Sequence, residues 1–146
     1  MLDTLKRELA RYRQRPFLDA LMAGCAFVAT ADGVVSLSER SRVDRIFEGF
    51  RELDIFDPHE SVDAFNEFAE AIAEDAARGR QRALAAIDDQ ASEPDRARLL
   101  LRACVAVSLA DGDIVGEERA ALADVCDALA LPASALDEAI ATLTRA

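Results

Sequence analysis

The chain has 146 residues, 51% of them hydrophobic, with only 6 Gly and 4 Pro; that is enough for one buried core, in a composition that favours helix over strand. Its 17 basic and 28 acidic residues give a formal charge of −11, which argues against nucleic acid, held chiefly by phosphate neutralisation, and for divalent cations or basic protein surfaces. No apolar run reaches the roughly 18 residues of a membrane span, and Lys6, Arg7, Arg11, Arg13 and Arg15 leave no room for the apolar block of a signal peptide. A cytoplasmic protein with a single domain over residues 1–146 is expected.

Leu2, Leu5, Leu9 and Tyr12 step by three, four and three among charges, predicting an amphipathic helix over 2–14 within a basic segment 1–15. Such a helix either docks on the domain through its leucines or lies on an anionic membrane surface or a partner. Pro16 opens a second helix whose Phe17, Leu18, Leu21, Met22, Cys25, Val28 and Ala29 share a buried side, ending at Ala31-Asp32-Gly33. Ser36-Leu-Ser-Glu39 matches a capping box for a third helix with Val43, Ile46, Phe47 and Phe50 inward. Asp57-Pro-His-Glu60 starts a fourth, with Val62, Phe65, Ala69, Ile72 and Ala76 as its apolar stripe. Gly79 is expected to interrupt before a shorter helix over about 80–91, with Leu84 and Ile87 inward. Ser92-Glu-Pro-Asp95 begins another long helix, and Pro132 precedes a last one carrying Leu136, Ile140 and Leu143.

Within this order one pattern occurs twice. The segment ATADGVVSLSER around Asp32 returns 79 residues later as SLADGDIVGEER around Asp111. Leu21, Met22, Cys25 and Val28 correspond to Leu100, Leu101, Cys104 and Val107; Val43, Ile46, Phe47 and Phe50 correspond to Leu122, Val125, Cys126 and Leu129. The expected fold is therefore all-α, one compact domain of about seven to eight helices. Two internally repeated helix–ADG turn–helix hairpins pack through their Leu/Cys/Val faces.

The turns carry the candidate site. Asp32 and Glu39 are seven apart, as are Asp111 and Glu118, and the second turn adds Asp113 and Glu117. Carboxylates without nearby His or Cys suit a hard cation such as Ca²⁺ or Mg²⁺, although the spacing is not that of an EF-hand. The competing reading is structural: acids at the start of a helix complement its dipole, and an Asp in a turn bonds to its own backbone. The second turn is the stronger candidate, because Val115 replaces the capping Ser36 of the first copy and leaves its extra acids without a structural task.

No catalytic constellation accompanies these acids. His59 is the single histidine and sits in the first turn of a helix, where a surface position is expected. Cys25, Cys104 and Cys126 lie among apolar residues without CxxC spacing and read as buried free thiols. A hydrolase built on paired carboxylates is the least favoured class. The arginines 78, 80, 82, 96, 98 and 102 form a second basic zone beside the N-terminal one.

The segments Phe17 to Gly33 and Arg102 to Asp113 resemble the two signature segments of the tellurite-resistance TerB family, and the similarity runs from about residue 15 to 138. A more distant resemblance is to the N-terminal region of a membrane-anchored DnaJ-like co-chaperone. The TerB resemblance implies a helical cytosolic module of tellurite and chemical-stress responses without catalytic activity. It would work beside a TerC-type membrane protein and TerD-type proteins, in peripheral contact with the inner membrane. It also implies a cation held by Asp32, Glu39, Asp111 and Glu118. The chain departs from the family pattern at Val115, where a polar cap is usual, and at Ser38, where an acid is common. The alternative is a pure interaction or co-chaperone-type scaffold with no metal.

Overall fold

Apolar positions recurring every three to four residues bury best as packed helices, and the computed structural model, which describes residues 2–9, 15–31, 58–109, 114 and 116–144, is built that way. Among the described residues there are seven helices and no strand: α1 (Leu2–Leu9), α2 (Arg15–Ala29), α3 (Pro58–Glu74), α4 (Ala76–Asp88), α5 (Pro94–Leu109), α6 (Gly116–Ala128) and α7 (Ala133–Thr144). Tyr12, the capping box Ser36–Glu39 and the helix expected over Val43–Phe50 lie outside the described residues.

The helices α2 and α5, which lead into the two Ala-Asp-Gly segments, form the centre. Phe17, Leu18 and every residue from Ala20 to Val28 are buried in α2, as are Leu99, Leu100, Leu101 and Ala103 to Ser108 in α5. The two helices pack on each other; α3, α4 and α6 also pack on α2, while α1, α6 and α7 also pack on α5. Leu21, Met22, Cys25 and Val28 and their counterparts Leu100, Leu101, Cys104 and Val107 all belong to one apolar cluster. Burying a residue of this kind stabilises by roughly 1.5–3 kcal/mol, so this paired face is one of the major contributors to stability.

Two expectations are corrected. The break after α3 falls at Asp75 rather than Gly79: Asp75 is extended (φ −149°) and its carboxylate accepts from the Arg78 amide at 3.2 Å. Gly79 is inside α4 and buried, and a Cβ there would come within 2.6 Å of the Ala71 carbonyl carbon and into the Ile72 backbone. Glycine is thus required for close approach of α4 to α3, and the cap stops the helix. The apolar stripe of α3 is also rotated. Val62 is 38% exposed and Ala76 is exposed, whereas Ser61, Ala64, Phe65, Phe68, Ala69 and Ile72 face inward. These six step by three, one, three, one and three, the spacing of one helix face.

The C-terminal turns are closed by backbone bonds. At the end of α6, Ala130 takes a left-handed conformation (φ 56°), Leu131 N–H donates to Cys126 O at 3.1 Å and Ala130 N–H to Asp127 O at 2.9 Å. That is a Schellman exit with alanine where glycine is usual. The Cys126 thiol donates to Pro132 O at 3.4 Å in the same exit.

Helix α1 docks on α5. Leu5 is buried at 4% exposure in the common core, and Glu8 pairs with Arg102 of α5 at 2.8 Å. Burial of Leu5 agrees with the docked reading of the basic segment.

Candidate functional site

The site expected from the sequence follows the ends of α2 and α5 along the chain. Four of its six carboxylates, Asp32, Glu39, Asp111 and Asp113, lie outside the described residues. Glu117 and Glu118 open α6 directly after Gly116, which is left-handed at φ 47° with open space around its Cα. Glu117 is exposed and Glu118 half-buried. Being adjacent on a helix, they leave its axis about 100° apart. Among the described residues no three His, Cys, Asp or Glu side chains come together as a metal-holding group.

The approaches to the two turns differ. At the end of α2, Thr30 Oγ1 donates to Ala26 O at 2.7 Å and Thr30 N–H to the same oxygen at 3.0 Å, so this exit is satisfied internally. At the end of α5, Ser108 is 2% exposed and its hydroxyl has no hydrogen-bond partner among the described residues. A buried hydroxyl is costly to leave unpaired. This one stands three residues before Asp111, on the side where the sequence crowds its acids. Its hard oxygen fits the donor chemistry of Ca²⁺ or Mg²⁺ as the carboxylates do.

Most arginines of the second basic zone face an acid, and Arg80 faces an aromatic ring. Arg82 pairs with Glu67, Arg78 with Asp75 at 4.0 Å, Arg96 with Glu93 at 3.6 Å and Arg98 with Glu138 at 3.7 Å. Arg102 pairs with Glu8, as described, and Arg80 lies over the Phe27 ring with its guanidinium carbon 4.1 Å from the centroid. Arg82 is 5.7 Å from the centre of Phe68. These cations cover aromatic faces and bridge helices rather than form a free basic patch. A cavity of about 150 Å³ between α5 and α7 has Arg98, Arg102, Glu138 and Thr142 at its polar edge and Leu101, Ala135 and Ala139 as walls; its arginines are already paired.

His59 is exposed, as expected. All three cysteines are free and buried, also as expected. Their mutual placement was not anticipated. A Cβ on Gly24 would come within 2.5 Å of Cys104 Sγ, so the sulfur lies against the α2 backbone beside Cys25. The neighbouring Cys25 thiol, together with burial, raises the Cys104 thiol well above its ordinary range. Burial likewise pushes the Cys126 thiol up. The internal repeat held the signal for this pair, since Cys25 and Cys104 occupy equivalent positions.

Comparison with known proteins gives one consistent result. The family model described as tellurite resistance protein TerB matches residues 18–141. A tellurium resistance protein TerB from an Alcaligenes species is 28% identical over 100 residues, 68% of this chain and 82% of the relative. No solved structure matches the chain.

Proposed function

Since the chain belongs to the tellurite-resistance TerB family, we propose that it is a non-enzymatic helical module of a tellurite and chemical-stress response. Its acidic turns hold a divalent cation, Ca²⁺ or Mg²⁺, and its outer surface engages partner proteins. The observation that carries this reading is the mounting of the repeat. Both Ala-Asp-Gly segments follow directly on the two most buried helices, and the second is preceded by the unpaired Ser108 hydroxyl and followed by Glu117 and Glu118. In this reading Asp111, Asp113, Glu117 and Glu118 form the main cation site, and Asp32 with Glu39 a weaker one. The partners are a TerC-type membrane protein and TerD-type proteins, met in the cytoplasm at the inner membrane face. No helix among the described residues is long and apolar enough to cross a membrane.

Calorimetric titration with Ca²⁺ and Mg²⁺ tests the cation. The wild type should release or take up heat at up to millimolar cation, and Asp111→Asn/Glu118→Gln should lose that response while remaining folded. Absence of heat in both proteins would remove the cation from the proposal.

A second reading is favoured by the divergence of Glu117 and Glu118 in the first turn of α6, where a helix dipole alone accounts for both. In it the protein is a pure interaction or co-chaperone-type scaffold. It expects the same double variant to lose stability equally with and without cation. A carboxylate-based hydrolase is the least favoured class, since the sequence offers no catalytic constellation beside the acids.

A further inference from the structure

The two repeats meet through sulfur. Cys25 and Cys104 are both 0% exposed, occupy equivalent positions 79 residues apart, and lie on the contact between α2 and α5. Gly24 is what permits the approach: with no Cβ, it lets Cys104 Sγ rest against the α2 backbone next to Cys25, where Leu100 and Ile87 close the surroundings. Cys126 differs, being placed at the exit of α6 with its thiol directed at the Leu131 and Pro132 carbonyls.

We infer that Cys25 and Cys104 form a redox latch, a dithiol that closes to a disulfide joining the two repeats when the α2–α5 contact opens in the presence of a peroxide-class oxidant. In the closed molecule the pair is inert, because the sulfurs are sealed from solvent and the thiolate needed for attack is disfavoured in the dry core. Opening admits water and reagent. One sulfur, as thiolate, attacks a peroxide oxygen; the O–O bond breaks, and a sulfenic acid and a water molecule result. The second thiol then displaces the sulfenic oxygen as water, forming the S–S bond. Two thiols and one hydrogen peroxide thus become one disulfide and two waters, sulfur losing the two electrons that the peroxide gains. Reclosure would hold the repeats together by a covalent bond across a 79-residue span, and the latch would record that the core had opened under oxidative stress.

The test is oxidation of the full chain by hydrogen peroxide across a series of sub-denaturing urea concentrations, followed by non-reducing peptide mapping by mass spectrometry. The expected result is a monomer lighter by two hydrogens, with a crosslinked pair of peptides containing Cys25 and Cys104. Its rate of formation should rise with urea, and dithiothreitol should reverse it. The oxidised protein should melt on the order of 10 °C higher than the reduced one, as closure of so long a loop allows. Cys126→Ala should behave as wild type, while Cys25→Ala and Cys104→Ala should each form no intramolecular bond. Separate sulfinic or sulfonic acids in the wild type, a bond through Cys126, disulfide-linked dimers, or unchanged thiols throughout the series would each overturn the latch. The wild-type map decides the matter even if an alanine variant folds poorly.

Discussion

The helices α2 and α5 descend from the same sequence pattern, yet they occupy unlike surroundings. Along α2, the small residues Ala23 and Gly24 lie under α3, α4 and α5, and of its residues from Phe17 to Val28 only Asp19 is not fully buried. At the equivalent place α5 has Arg102, half-buried and turned to Glu8 of α1, with Arg98 exposed one turn earlier. The difference extends to the exits, where Thr30 bonds back to α2 and the Ser108 hydroxyl has no partner among the described residues. Equal apolar faces therefore keep the duplicated halves together, while unequal small and charged residues decide how completely each helix is enclosed.

The equivalence of the two faces is broken most sharply by truncation. Leu21→Ala and Leu100→Ala should each destabilise by about 3 kcal/mol, since both side chains are 0% exposed. Urea denaturation of the two variants checks this, and losses differing by more than about 1.5 kcal/mol would refute a shared core contribution. The asymmetry is sharpened by Gly24→Ala, whose added methyl meets Cys104 Sγ. It should cost roughly 2 kcal/mol, and Cys104→Ala in the same chain should recover much of that loss. An additive double variant would show that the sulfur does not set the distance between the helices.

The smallest effect concerns alkali. Because the Cys104 thiol is raised in the folded protein by the neighbouring Cys25 thiol and by burial, the unfolded chain loses this proton first as pH rises. Its contribution to stability is therefore complete below about pH 9 and is lost as pH climbs toward the folded value, by up to about 1.4 kcal/mol per pH unit. Denaturation at pH 7 to 10 should show that slope in the wild type and a shallower one in Cys104→Ala.

Much of the architecture was legible from residue patterns. Pro58, Pro94 and the residue after Pro132 begin helices because proline supplies the helical φ without needing its missing N–H. The buried faces of α2 and α5 followed from periodicity. Gly79 was misread because glycine signals either an end or a close approach, and only the position of Ile72 across the α3–α4 junction distinguishes them. Val62 was misread because two apolar faces of α3 were compatible with its sequence, and the neighbours chose the one containing Phe68. Within the candidate site, the acid pattern was evident from spacing, but the divergence of Glu117 and Glu118 depends on α6 beginning at Gly116. The pairing of Arg98 with Glu138 and of Arg102 with Glu8 joins residues far apart in the chain, and linear charge runs cannot reveal it.

Taken alone, the sequence determined the helical class, the duplication and the family, because periodicity, caps and motif spacing are local properties. It also determined that the thiols would be buried, since each sits within an apolar run. Only the tertiary structure decided that Cys104 lies against Gly24 beside Cys25, that Arg98 faces Glu138 and Arg102 faces Glu8, and that the Ser108 hydroxyl has no partner among the described residues. Those outcomes depend on which helix faces pack across 79 residues of separation, and packing is a property of surfaces brought together, which no single stretch of chain contains.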